Sequence, residues 1–88
     1  MTDQLKWRTD NINLAAYLVY LGHEVLAIEW EGGGGYFVFR KTKDLLHASV
    51  DWIGDEAVVN PKLFSQTFGQ LKTRLFDEHP NPPVRTRY

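Results

Sequence analysis

The chain has 88 residues, 43% of them hydrophobic and 14% aromatic, with ten Lys and Arg against eleven Asp and Glu for a net charge of −1. That length makes one domain with a modest core, burying roughly 60–65% of the surface its unfolded chain exposes. The absence of cysteine excludes disulfide frameworks, Cys-ligated zinc and thiol catalysis, and the balanced charge speaks against a generally basic nucleic-acid module while leaving room for a local patch.

Residues 1–8 read as an N-terminal arm in which Leu5 and Trp7 alternate with Lys6 and Arg8. The plain expectation is a tail with Trp7 tucked onto the domain; the sharper ones are a short extra strand or a basic arm. No basic segment leads into an apolar run, so no secretory signal is expected. The apolar stretch 14–28 is broken by Gly22, His23 and Glu24 and is too short to span a bilayer. With no cysteine, a cytoplasmic location fits.

The folded domain is expected over 9–78. Thr9 or Asp10 is the expected N-cap of a first helix over about 10–21. Ile12, Leu14, Ala15, Leu18, Val19 and Leu21 give it a broad apolar face, and Gly22 stands where a left-handed terminating residue belongs. Tyr17 and Tyr20, three apart, make one flank aromatic. A hairpin follows, with strands over about 24–30 and 36–40 rich in β-branched and aromatic residues. Alternation puts Leu26, Ile28 and Trp30 on one face and Val25, Ala27 and Glu29 on the other. Phe37 and Phe39 point one way along the second strand, with Tyr36, Val38 and Arg40 opposite. Both faces carry apolar side chains, so helices are the expected cover.

The loop between the strands, Glu31 and then Gly32 to Gly35, has more glycine than a tight turn needs, which predicts a mobile tip. A phosphate cradle is disfavoured because no Lys-Ser/Thr pair follows and a strand, not a helix, comes next.

Thr42, Lys43 and Asp44 open a second helix over about 43–53, with Leu45, Leu46, Ser49, Val50 and Ile53 as its apolar or small positions and Trp52 flanking. Residues 56–59 are β-prone and fit a brief third strand or an extended linker. Asn60 and Pro61 then read as N-cap and first turn of a closing helix over about 61–77, whose face carries Leu63, Phe64, Thr67, Phe68, Leu71, Leu75 and Phe76. Gly69 inside it costs up to ~1 kcal/mol relative to Ala, which a close helix contact would explain. Residues 79–88 hold three prolines and the bases Arg85 and Arg87, and read as a flexible basic tail, extended or disordered.

The opening helix at 9–18, the turn Gly22-His23, the strand Phe37-Val38-Phe39 and the closing helix from Asn60-Pro61 through Leu71-Lys72 together resemble a domain-of-unknown-function family of small proteins of phages, bacteria and archaea. The likeness covers about residues 9–77. It implies a phage or mobile-element setting and no activity, and it carries over no catalytic residue.

Chemistry is not evident in the residues themselves. His23, His47 and His79 lie in three segments with no helical i,i+4 pair. Ser49 and Ser65 sit on predicted helices without a nucleophile elbow, and Asp51, Asp55 and Glu56 fit a solvated helix end better than a glycosidase pair. No catalytic residue, metal, cofactor, small-molecule substrate or membrane is therefore expected, and the chain reads as non-enzymatic. The aromatic strand followed by Arg40, Lys41 and Lys43 has the look of a base-stacking platform beside phosphate contacts. The helix-first order departs from RNA-recognition folds, and Phe37 and Phe39 suit a core as well.

The expected fold is α+β: a central antiparallel hairpin with three helices in the order α-β-β-α-(β)-α. The expected function is protein interaction, with self-association as one form of it, through Trp30, Trp52 and the Tyr17/Tyr20 flank. The alternative is nucleic-acid binding through Arg40, Lys41 and Lys43.

Overall fold

A computed structural model describes residues 5–79. The elements are β1 (Lys6–Thr9), α1 (Ile12–Tyr20), β2 (Val25–Glu31), β3 (Gly34–Arg40), α2 (Lys43–Ile53) and α3 (Pro61–Glu78). The fold is α+β, with a three-stranded antiparallel sheet ordered β1-β3-β2.

The third strand is not where the propensity of residues 56–59 placed it. Residues 56–60 form no ladder; Ala57 and Val59 pack on the core and Val58 points out. That alternation belongs to an extended linker. The strand comes instead from the stretch assigned to the arm. Lys6 pairs with Arg40, Trp7 with Phe39, Arg8 with Val38 and Thr9 with Phe37. Trp7 anchors this strand by meeting Phe39 at 6.3 Å between ring centroids. The proline-rich tail, His79 apart, lies outside the described residues.

Helix ends follow local side-chain chemistry. Asn11, and not Thr9 or Asp10, caps α1: its Oδ1 accepts from the backbone N–H groups of Asn13 and Leu14 at 2.9 and 3.1 Å. Thr9 Oγ1 in turn accepts from Asn11 N–H. At the other end Gly22 takes φ +105°, while Gly22 N–H donates to the Val19 carbonyl and His23 N–H to the Leu18 carbonyl. This is a Schellman closure. Thr42 caps α2 through Leu45 N–H. That helix closes the same way, with Asp55 in the left-handed position at φ 62° and Glu56 N–H on the Asp51 carbonyl. Asn60 caps α3 through Lys62 and Leu63 N–H, with Pro61 in the first turn.

The hairpin departs from simple alternation. Val25 pairs with Phe39 but Ala27 pairs with Val38, so Leu26 is the extra residue of a bulge. Past it the faces exchange. Val25, Ile28 and Trp30 lie opposite Phe39, Phe37 and Gly35, and Leu26 is turned out to solvent. The tip is also tighter than four glycines suggested. Gly32 and Gly33, at φ +57° and +84°, make a two-residue connection of the type I′ kind. Gly34 and Gly35 already belong to β3, paired with Glu31 and Trp30.

The core lies on one side of the sheet. Phe37 and Phe39, 1% and 0% exposed, join Val25 with Leu14, Ala15, Ala16, Tyr17 and Leu18 of α1, Leu45 and Ala48 of α2 and Leu71 of α3. The expectation that both sheet faces need helical cover does not hold. The opposite face presents Lys6, Arg8, Ala27, Glu29, Glu31 and Arg40 to solvent. Val38, in the middle strand between Arg8 and Ala27, is the buried residue of that face. An antiparallel sheet tolerates one solvated face.

Candidate interaction surfaces

Four places gather the side chains that the sequence singles out. The first is an aromatic seam joining the three helices. Tyr17 lies 5.2 Å from Trp52 between ring centroids, and Trp52 stacks on Phe64 at 5.8 Å. Tyr20 meets Tyr17 at 6.5 Å and the edge of Phe64 at 6.4 Å. The Tyr20 hydroxyl accepts from Asn60 N–H at 2.9 Å, which fixes the start of α3 against the end of α1. Three of the four candidate partner residues, Tyr17, Tyr20 and Trp52, thus spend their ring faces inside the chain.

The second place lies beside that seam on α2. The buried positions are Leu45, Ala48 and Ser49, with Trp52 half-buried in line with them. Ser49 satisfies its hydroxyl on the Leu46 carbonyl. Val50 and Ile53, which periodicity alone places in the core, are 64% and 75% exposed. With half-buried Leu46 they fall within about 60° of one another around the helix. The apolar arc of α2 is wider than its contacts inside the chain use. That excess width was the sequence signal for an outer stripe. The segment after α2 continues the pattern with exposed Val58 and Leu63.

The third place holds Trp30. A groove of about 750 Å³ opens between the hairpin tip and the C-terminal half of α3. Trp30, Gly34, Gly35, Gly69, Lys72, Leu75 and Phe76 are among the residues that line it. The His79 ring meets Trp30 edge-on at 4.7 Å. Gly35 is required by packing: a Cβ there would stand 2.9 Å from both Leu75 Cδ1 and Trp30 Cζ3. Gly69 is different. A Cβ there would meet nothing within 4 Å, so no close helix contact accounts for it.

The fourth place is a basic corner of the sheet. Strand pairing brings Lys6 opposite Arg40, next to Lys41, and Lys43 opens α2 a turn further on. Lys6 is an addition to the patch that the sequence does not mark, because a cross-strand neighbour 34 positions away leaves no local signal. Glu29 and Glu31 do not blunt this corner, since Arg8 holds them at 2.9 and 3.0 Å. The hydrogen bond that Arg8 donates to Glu31, with the one to Glu29 adding to it, raises the Arg8 pKa above its ordinary value. Glu29 pairs with Tyr36, four residues or about 13 Å along the strand from Arg40. Asp44 lies in the first turn of α2, next to Lys43, and Glu24 lines a small cavity together with Arg40. Phe37 and Phe39 are not part of it; they face the helices. The exposed-face aromatic is Tyr36, covered by the Arg8 guanidinium at 4.3 Å.

The histidines do not converge. His23 is in the turn after α1, His47 is exposed on α2, and His79 is at the groove. Among the described residues no group of three His, Cys, Asp or Glu side chains is placed to hold a metal ion. No helix there is long and apolar enough to cross a membrane.

No curated protein and no solved structure matches the chain. One family does, over residues 5–77, which takes in all three strands, α1, α2 and all but the last residue of α3. The chain belongs to the family described as Domain of unknown function (DUF5659).

Proposed function

We propose that this domain is a non-enzymatic protein-interaction module that associates through the outer stripe of α2, in the first instance with a second copy of itself. The exposure of Val50 and Ile53 beside the aromatic seam carries this reading. Two adjacent branched apolar side chains left in water on a small domain cost solubility, and covering them recovers about 25 cal/mol per Å² of apolar surface. A two-fold contact lets one stripe serve both partners. Trp52, Tyr17 and Tyr20 then act behind the interface by stiffening the helices that present it, and Trp30 stands apart from it at the groove. A phage or mobile-element setting in the cytoplasm, as the resemblance read from the sequence implies, belongs to this proposal.

Sedimentation velocity over a concentration series tests this. The native chain is expected to move from monomer to dimer as concentration rises, and Ile53→Glu to remain monomeric with an unchanged helical circular dichroism spectrum. A native chain that stays monomeric up to millimolar concentration overturns self-association.

A second reading has its own observation, the cross-strand meeting of Lys6 and Arg40 beside Lys41 and Lys43. A phosphate backbone laid on that corner gives binding that weakens with salt. Replacing Arg40, Lys41 and Lys43 with Ala should flatten the salt dependence of oligonucleotide binding. Native-like binding by that variant removes the corner from consideration.

A further inference from the structure

Lys43, Leu46, Val50 and Ile53 recur at intervals of three and four, the spacing of a seam along which two helices pack. At about 100° per residue, Lys43 falls about 20° from Val50, so the outer stripe of α2 begins with a base. Asp51 and Asp44 lie about 100° and 120° around the helix from Val50, off the stripe. The other end is acidic. Asp55 at φ 62° turns the chain back, and Glu56 N–H closes on the Asp51 carbonyl at 2.7 Å. Gly54 follows Val50 by four residues and shares its side of the helix. A Cβ at Gly54 would stand 3.9 Å from Glu56 Cγ, so the Glu56 side chain lies back over the C-terminal end of the stripe. Lys43 and Glu56 are both exposed, and neither enters an ion pair among the described residues.

The stripe is apolar in its middle, positive at one end and negative at the other. A second copy complements such a surface only head to tail. Leu46 stands seven residues before Ile53, and Lys43 and Glu56 stand three residues outside them on either side. The two-fold that sets Leu46 against Ile53 of the second copy therefore sets Lys43 against its Glu56 too, with Val50 near the axis. The helix dipoles favour the same arrangement, because each positive N-terminus then meets a negative C-terminus. Parallel packing would instead set Lys43 on Lys43 and Glu56 on Glu56.

We propose that α2 packs antiparallel on α2 of a second copy, and that Lys43 and Glu56 form the ion pair between copies that fixes orientation and register. This inference rests on the self-association through the α2 stripe put forward above. Burial of Leu46, Val50 and Ile53 drives the contact, and the charges at its two ends decide which partner it accepts.

Sedimentation velocity on full-length Lys43→Glu, Glu56→Lys and their equimolar mixture tests this. An acid in the first turn of α2 and a base at its end both suit the helix dipole, so each variant should keep the native circular dichroism spectrum. Each variant alone opposes like charges at both ends of the contact and should dimerise about tenfold more weakly than the native chain. In the mixture every facing pair is again of opposite sign, and dimer should return to the native level. Asp77→Lys, the same change of charge placed on α3, should not replace Glu56→Lys in that mixture. Variants that dimerise like the native chain, while Ile53→Glu does not, overturn the ion pair and leave the stripe standing. A mixture no tighter than Lys43→Glu alone overturns the pair, and so does rescue by Asp77→Lys. Lys43→Glu binding the native chain more tightly than the native chain binds itself overturns the antiparallel orientation. A native chain that stays monomeric overturns the stripe itself and the pair with it.

Discussion

Phe37 and Tyr36 are adjacent in β3 but face opposite ways, and substituting each with Ala tests that assignment. Phe37 is 1% exposed under the helices. A buried phenylalanine withdraws about 150 Å² or more from water, which at ~25 cal/mol per Å² is about 4 kcal/mol. Cavity formation keeps Phe→Ala in the range of about 3–5 kcal/mol. A domain of this size has total stability on the order of 5–10 kcal/mol, so Phe37→Ala should lower the melting temperature by more than about 15 °C. Tyr36 lies half-buried on the solvated face under Arg8, and Tyr36→Ala should cost about 1 kcal/mol. Urea unfolding followed by circular dichroism reads both variants on one scale, with m-values checking that the unfolded states are alike. Equal costs for the two, or a cost for Phe37→Ala under about 1 kcal/mol, would refute the placement of the core on this side of the sheet. The second outcome would also revive the stacking-platform reading of the aromatic strand.

Three further substitutions probe single features by the same unfolding assay. Asp55 occupies a left-handed position at a helix end, so Asp55→Gly should stabilise the fold by about 0.5–1 kcal/mol; destabilisation would contradict the Schellman geometry there. Tyr20→Phe removes the acceptor of Asn60 N–H and should cost about 1 kcal/mol, whereas no change would mean that water replaces the hydroxyl freely. Gly35→Ala drives a methyl group against Leu75 and Trp30 and should cost about 1–3 kcal/mol, with a shift in tryptophan emission; a neutral result would mean that the wall of the groove is looser than its geometry.

The helices were legible because their signals are local. Thr42 and the Asn60-Pro61 pair mark two starts by their own chemistry, and Gly22 marks an end. Even the misplaced first cap was off by one or two positions, since Thr9 and Asn11 are both bonded in that turn. What was not legible depends on partners distant in sequence. Lys6–Thr9 becomes a strand only because β3 offers it a free edge and Phe39 a place for Trp7. The bulge at Leu26 reverses the faces of β2 with no marker residue of its own. On α2, Leu45, Leu46, Ser49, Val50 and Ile53 all satisfy helical spacing. Only packing decides that Leu45, Ser49 and Trp52 turn in while Val50 and Ile53 turn out. The candidate residues followed the same rule. Tyr17, Tyr20 and Trp52 stood out as an excess of aromatic side chains, and the seam with Phe64 absorbs them.

The outer stripe of α2 is the central functional claim, and an isotope-filtered nuclear Overhauser experiment on a mixture of differently labelled copies tests it most directly. The expected result is transfer from the Ile53 methyl groups of one copy to Leu46, Val50 or Ile53 of the other at concentrations where sedimentation shows dimer. Transfer confined to residues of the groove or of the basic corner, or none at those concentrations, would contradict it.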